Sequence, residues 1–257
     1  MKNEPAPLAS AKHAPHPVLT EYYRDEGERR RFVRDIFDHT AHHYDRVERM
    51  LAFGSGSWYR RKALARAGLA AGMQVLDVAV GTGLVAREAA RLIGDASHVV
   101  GLDPSRGMLA EAKRNVPIAL VQARGEKLPL PNDQFDFLSM GFALRHVSDL
   151  EVLFREYLRV LKPGGRVCVL EITRPRGHIG LALLKFFLKG VVPTLTRLTT
   201  RHAEMTQLMR YYWDTIEACV PPEAVIQALR NAGFSDVRRH VEIGIFSEYV
   251  GTRPAAR

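Results

Sequence analysis

The feature that most constrains this chain is an alternation. Between residues 74 and 172, short β-rich runs of Val, Leu and Ile alternate with stretches whose apolar residues recur at helical spacing. Gln74-Val-Leu-Asp-Val78 is the first run, and a helical stretch from Leu84 to Ile93 follows, stopped by Gly94. Further β-rich runs occupy 97–102, 118–122, 135–140 and 167–172. Asp103-Pro104-Ser105 opens a second helix, with proline in the first turn, where its missing N–H is not needed. Ser148 and Glu151 have capping-box spacing and open a third. Lys162-Pro-Gly-Gly165 ends it. Strands alternating with helices of this length predict an α/β fold: a Rossmann-like, doubly wound, mainly parallel sheet. Two last β-rich runs, 236–242 and 243–250, are joined tightly enough to pair antiparallel at the C-terminal end.

The chain has 257 residues, 46% of them apolar and 25% charged, ample for one hydrophobic core. Residues 1–20 are rich in Pro, Ala and His and read as a disordered tail. Residues 21–69 read as N-terminal helices, and 70–257 as the α/β domain, with a helical insertion at 174–220. Cys168 sits in a core-like strand and Cys219 near a helix end, with no metal-ligand spacing, so a reduced intracellular protein is expected. Residues 1–17 lack the apolar core of a signal peptide. No run reaches the roughly 18 apolar residues of a membrane span. The net charge of +9 favours an anionic partner or simple solubility.

Val75-Leu-Asp-Val-Ala-Val-Gly-Thr-Gly83 reads as strand, glycine loop and helix start. Such a loop lets the backbone approach a ligand and leaves free N–H groups at the helix N-terminus. Asp103, at the end of the next strand, is placed to accept both hydroxyls of a ribose. Gly81-Thr82-Gly83-Leu84-Val85-Ala86 also fits the dinucleotide fingerprint GxGxx(G/A), so the loop alone leaves NAD and S-adenosylmethionine both open. Asp77 inside the strand, the Lys162-Pro-Gly-Gly165 turn and the closing antiparallel pair favour the methyl donor.

With these features the chain resembles class I S-adenosylmethionine-dependent methyltransferases over roughly residues 70–251. Over about 33–175 it is similar to the ubiquinone/menaquinone biosynthesis C-methyltransferase family. The segments that carry this are Phe37-Asp-His-Thr-Ala-His-His-Tyr-Asp45 with Phe53, Gly54 and Trp58, then Phe142-Ala-Leu-Arg-His-Val-Ser-Asp149, and Leu170-Glu-Ile-Thr-Arg-Pro175. The chain has His146 and Glu48 where the family has Asn, Ala143 where it has Gly, and Arg124 where an Asn or Asp would meet adenine. Its ending, residues 245–250, also differs from the family's.

The resemblance implies an enzyme that moves a methyl group from S-adenosylmethionine to a small acceptor, aromatic or of quinol type, by in-line displacement at carbon or oxygen. Asp77, Gly81, Thr82 and Gly83 would hold the methionine part, Asp77 meeting the amino group. Asp103 would hold the ribose, Met108 would pack beside adenine and Tyr44 would close over the donor; Ala79, Gly125 and Glu126 complete the set. Arg145 and His146 are the candidate catalytic residues, a fixed cation for a phenolate and a group that moves a proton near neutrality. Glu171 could contact the acceptor or cap a turn. No metal is expected, because a sulfonium is already an activated leaving group. An NAD-dependent oxidoreductase is the alternative, but the Tyr-x-x-x-Lys pair such enzymes use is not evident. Nucleic acid is not expected as a partner, since no basic motif is interleaved with aromatics. Residues 180–193 are apolar with embedded Lys185 and Lys189, and lid, membrane-surface helix and core helix all remain open. The expected location is the cytoplasm, with peripheral contact to an anionic membrane left open.

Overall fold

The computed structural model describes residues 13–51, 54–175, 177–192, 194 and 203–255. Two helices, α1 (Glu26–Leu51) and α2 (Gly56–Arg66), precede the sheet. Then come β1 (Val75–Val78), α3 (Leu84–Ile93), β2 (Val99–Asp103), α4 (Arg106–Asn115), β3 (Ala119–Gln122), β4 (Phe135–Gly141), α5 (Leu150–Val160) and β5 (Leu161–Ile172). The insertion supplies α6 (His178–Phe186), continued by a π-helical turn over Phe187–Val191, and α7 (Ala203–Ala218). α8 (Pro222–Asn231), β6 (Ser235–Glu242) and β7 (Phe246–Thr252) close the chain.

The seven strands run in the order β3-β2-β1-β4-β5-β7-β6. Pairs among β1 to β5 are parallel, and β7 is antiparallel to both its neighbours. This is the Rossmann-like sheet with an antiparallel C-terminal strand that the alternation implied. The chain leaves β1 in opposite directions, to β2 and to β4, and ligands in such sheets bind outside the carboxyl ends of the strands at that switch point.

Strand periodicity assigns each face its partners. Leu76, Val78, Leu138, Met140, Val167 and Val169 pack with α5 and α8. Val75, Phe137, Cys168 and Leu170 pack with α2 and α3. A third cluster joins α1, the π-helical turn and α7 through Ile36, Val47, Leu188 and Trp213. Among the described residues, no helix is long and apolar enough to cross a membrane.

Three local details differ from the sequence reading. The Ser148–Glu151 capping box does not form: Asp149 is the N-cap of α5 and accepts from the Glu151 and Val152 amides at 2.8 and 3.0 Å. Ser148 is drawn away, its hydroxyl donating to Glu26 on α1. Pro104 precedes α4 rather than sitting in its first turn, and Ser105 caps the helix by accepting from Met108 N at 3.1 Å. Lys162-Pro-Gly-Gly165 lies within β5, where the register against β4 shifts between Phe135 and Phe137.

Of the expected tail, residues 1–12 lie outside the described residues, as does Phe53 of the N-terminal family segment. Residues 13–20 are held against the body. Leu150 N donates to His13 O at 3.0 Å, Val220 N donates to Pro15 O at 2.8 Å, and His16 is buried against Arg29. Two backbone bonds and the buried His16 side chain give this stretch what its composition alone does not.

α1 lies close against α4. Asp38 Oδ1 accepts from Ser105 Oγ at 2.5 Å and from Gly107 N at 2.8 Å, and a Cβ at Gly107 would stand 2.6 Å from Asp38 O. Helix propensity alone would make Gly107→Ala stabilising by about 1 kcal/mol. The contact reverses the sign, because backbone cannot yield as a flexible side chain can, and overpacking costs about 1–3 kcal/mol. Gly107→Ala should therefore lower the thermal midpoint and raise proteolysis of the N-terminal segment, as read by calorimetry and limited digestion.

Candidate active site

The site is built from the ends of β1, β2 and β4, with α1 laid across them. Beyond Val78 the chain turns sharply. Ala79 and Gly81 have φ of 55° and Gly83 has 90°, all in the left-handed region. Gly81 meets that demand without strain, and a Cβ built on it has no atom within 4 Å, so its face is open. Ala79 holds the same conformation with a methyl group, a strain of the kind that collects at binding sites. The turn is closed by Val80 N to Leu102 O and Gly83 N to Val80 O, each 2.9 Å.

Asp103 pins this turn to β2. Its Oδ2 accepts from Gly81 N and its Oδ1 from Ser105 N, both at 2.9 Å. Burial nonetheless outweighs these bonds and pushes its carboxyl up to about 6. Thr82 donates to Asp45 of α1, and Asn115 bridges Asp45 Oδ2 and Thr82 O at 3.0 Å each.

A cleft opens over this loop. Ala79, Gly81, Thr82, Asp103, Met108, Gly125 and Glu126 line it, as does Tyr44. Gly125 is tightly surrounded, since a Cβ there would stand 2.7 Å from Leu153 and 3.0 Å from Val78. Glu126 Oε1 accepts from Ser148 N at 2.7 Å, which ties the loop after β3 to the loop after β4.

The expected donor-binding residues thus converge, with two exceptions. Asp77 does not reach the cleft surface. It is buried beside β4, where Oδ1 accepts from Ser139 Oγ at 2.7 Å, Oδ2 has no partner, and burial pushes its carboxyl up to about 7. Gly83 also lies off the cleft wall, packed over Val116, where a Cβ would stand 2.7 Å away. The pattern suits a ligand with a ribose and a polar tail: an open glycine turn, a carboxylate at the end of β2, and the thioether of Met108 beside them.

The cleft is also lined by Val33, Phe37, Phe142 and His146. His146 stands edge-on to Phe37 at 5.3 Å and stacks on Tyr211 at 5.4 Å and 26°. Neither ring nitrogen has a hydrogen-bond partner. Burial, reinforced by the cations of Arg145 and Arg29, holds the imidazole well below its usual range, so it is neutral at physiological pH.

Arg145 is not where the sequence reading put it. It has the expected position in the chain, but its side chain is completely buried and turned away from the cleft. Nε donates to Glu171 Oε1 at 3.0 Å, Nη1 to Tyr212 O and Thr215 Oγ1 at 3.2 Å each, and Nη2 to Phe142 O at 3.3 Å. A guanidinium so engaged is no longer a free cation for a phenolate. Glu171 likewise neither reaches the cleft nor caps a turn, because its carboxylate answers Arg145. None of the insertion's described residues lines the cleft, whereas Val33, Phe37 and Tyr44 of α1 do.

Sequence reasoning missed Asp38, Asp45, Phe37 and Arg60. The first three were inside the quoted segment, and the seven-residue interval from Asp38 to Asp45, two helical turns, was the available signal. Elsewhere the fold gathers His240, Glu242 and Glu248, which sequence spacing did not suggest as a cluster. Their carboxylates are answered by Arg66 and Lys62.

Solved structures place this architecture among S-adenosylmethionine-dependent methyltransferase folds. One such enzyme from Thermotoga maritima superposes with a TM-score of 0.60 at 21% identity, covering 86% of this chain and 99% of that one. The [4+2]-cyclase SpnF does so with 0.60 at 18%, covering 87% and 96%, so the fold alone does not choose the reaction. Sequence goes further. A model of the ubiE/COQ5 methyltransferase family matches residues 24–253. The ubiquinone/menaquinone biosynthesis C-methyltransferase UbiE of Geobacter sulfurreducens is 33% identical over 237 residues, 89% of this chain and 90% of the relative. The demethylmenaquinone methyltransferase of Clavibacter sepedonicus is 32% identical over 230 residues, 88% and 91%. The chain belongs to the ubiE/COQ5 methyltransferase family and is an S-adenosylmethionine-dependent methyltransferase.

The raised carboxyl of Asp103 sets a pH dependence. An ionised carboxylate is the better acceptor for ribose hydroxyls. Donor affinity should therefore fall as pH drops from 7.5 through about 6. Asp103→Asn should bind about tenfold more weakly at pH 7.5 and lose most of the dependence. Calorimetric titration with S-adenosylmethionine at several pH values reads both, and an unchanged slope in the variant would remove Asp103 from the donor site.

Proposed function

We propose that the enzyme methylates a ring carbon of a small hydroxylated aromatic of quinol type. The observation that carries this is His146: a neutral imidazole with two unpartnered nitrogens, set among aromatic side chains in the wall of the cleft. Bound S-adenosylmethionine supplies a methyl group on a positively charged sulfur. Asp103, Gly81, Thr82, Met108, Gly125 and Glu126 would hold it. Phe37, Tyr44 and Phe142 present flat apolar surface to a ring and exclude water from it. His146 accepts a hydrogen bond from the ring hydroxyl, which raises electron density on the neighbouring carbon, and that carbon gives up its own proton once it has taken the methyl group. Arg145 acts through position: its bond to Phe142 O, and that from Arg29 Nη2 to Arg145 O at 3.0 Å, fix the loop that carries His146. The curated relatives, whose names specify a C-methyltransferase and demethylmenaquinone, support carbon as the site.

The direct test supplies a reduced naphthoquinol and methyl-labelled S-adenosylmethionine, with the product resolved by mass spectrometry and NMR. Label on a ring carbon is expected; label on oxygen, or none on any quinol or phenol offered, would overturn the reading. At saturating donor, His146→Ala should lower kcat by roughly 100-fold, the lower end of general-base contributions, with donor affinity within about threefold. His146→Asn, the family's usual residue, should retain more.

Peripheral membrane contact belongs to the same proposal. The outward stripe of α6 leaves Ile179, Leu183 and Phe186 exposed at 79%, 64% and 69%, while Leu184 packs inward beside Leu188 of the following turn. Lys185 and Lys189, expected to face lipid headgroups, instead pair with Glu217 and Asp214 at 3.4 and 3.3 Å. The apolar stripe is then the principal contact, and a lipophilic acceptor would be met where it partitions. Burying such side chains is worth about 1.5–3 kcal/mol each when complete. Co-sedimentation with liposomes should depend weakly on salt and fall at least tenfold in the Leu183→Ser, Phe186→Ser double variant. Absence of the wild-type protein from the lipid pellet would reject membrane contact and leave the carbon-methylation reading standing.

A further inference from the structure

Four arginines line the cleft: Arg30, Arg34, Arg60 and Arg124. Arg30, Arg34 and Arg124 are exposed, and Arg34 is paired with Asp35 at 2.9 Å. Arg60, on α2, is different. It is only 5% exposed, and its Nη2 donates to Glu48 Oε1 at 2.7 Å. Its guanidinium carbon lies 5.6 Å from the Phe142 ring centroid, and its Nε is buried with no acceptor. Arginine offers five N–H donors in a planar fork, and a desolvated donor left unanswered is costly. Glu48 engages one nitrogen from one side and leaves the rest of the fork uncommitted.

Position narrows what answers it. α2 packs on α3, whose N-terminus follows the glycine turn, and the Arg60 guanidinium lies over Phe142, just beyond the end of β4. β4 and β2 flank β1 on opposite sides, and Asp103 ends β2, which marks the ribose end. Arg60 is therefore at the end of the cleft remote from the ribose, on the α3 side. Adenosine and the sulfonium carry no anion, and a quinol enters neutral. S-adenosylmethionine has one anionic group, the α-carboxylate at the tip of its methionine tail.

We infer that Arg60, braced by Glu48, is the seat of the donor's α-carboxylate. A carboxylate taken out of water requires a paired, hydrogen-bonding cation, and Arg60 is the buried cation that the described cleft residues provide. Glu48 replaces an asparagine of the family pattern, so the brace in this chain is an ion pair, which fixes the direction of the fork more firmly than an amide would. Arg60 thereby separates S-adenosylmethionine from analogues that lack the carboxylate. This rests on the identity of the donor and not on the proposed acceptor.

The test is calorimetric and needs no acceptor. S-adenosylmethionine and decarboxylated S-adenosylmethionine are titrated into wild-type protein and Arg60→Met. Wild type should prefer the carboxylated donor by about 10- to 100-fold, as one charge-assisted contact implies. Arg60→Met should lose most of that preference, through weaker binding of the carboxylated donor and little change for the other. The paired change Glu48→Gln with Arg60→Gln leaves neither charge buried alone, and it carries the same test if the single variant does not fold. A preference kept in full by the variants, whether both affinities fall together or neither falls, overturns the assignment. Failure of the naphthoquinol assay would leave these titrations unaffected.

Discussion

The site depends on one carboxylate answering two backbone amides. Asp103 at the end of β2 accepts from Gly81 in the turn after β1 and from Ser105 at the cap of α4. Those bonds hold the glycine turn open, start α4 in place, and leave one carboxylate face to the cleft. They come at a cost in stability. Asp103 and Asp77 are pushed up by burial to about 6 and about 7, above the ordinary aspartate value. A native value above the unfolded one means the folded chain takes up protons more readily. These two groups thus favour folding fully below about pH 4, and that contribution is lost as pH rises through about 6 and about 7. The ionised state of Asp103, the better acceptor for a hydroxyl, is the one burial disfavours.

α1 is what the loop requires in return. Three separate contacts, Asp38 to Ser105 and Gly107, Asp45 to Thr82, and Phe37 against His146, reach from one helix to α4, to the glycine turn and to the loop after β4. An N-terminal helix placed to satisfy side chains at the mouth of a cleft completes the site rather than decorating it. The same helix gives the cleft the aromatic side chains Phe37 and Tyr44, whereas the insertion, for which the sequence reading left lid, surface helix and core helix open, contributes no described residue to it. α6 and α7 pack on the outer side of α1 and support it.

How far this was legible follows from the range of the interactions. The sheet and the left-handed glycine turn beside Asp103 were readable, because period-two and period-3.6 patterns, the glycine spacing and Asp103 are local. The capping box failed because Asp149 and Ser148 are both competent caps, and only the presence of Glu26 across the cleft decides between them. Arg145 was read correctly as standing after β4 and wrongly as facing the ligand. Its partners lie at residues 142, 171, 212 and 215, and three of those accept through long-range contacts that no window along the chain contains. Arg60 escaped for the same reason: nothing near it in sequence marks it, and its meaning comes from Glu48, from Phe142 and from the turn beyond α3.

The two strand ends at the switch point share an uncommon backbone state. Ala79 after β1 and Phe142 after β4 are non-glycine residues at φ of 55° and 60°. A left-handed turn at the end of β4 directs the Phe142 ring against Arg60 and Phe246, while its carbonyl is turned to accept from Arg145. One strained residue therefore sets three things at once: the floor under the candidate carboxylate seat, an aromatic face in the cleft, and the anchor of the loop that ends in His146. Strain of about 1–3 kcal/mol persists only where surrounding bonds over-determine it. The buried Arg145 fork, joined to Glu171, Tyr212 and Thr215, is that over-determination. The guanidinium that lies too deep to touch an acceptor thus shapes both halves of the cleft through the backbone it holds.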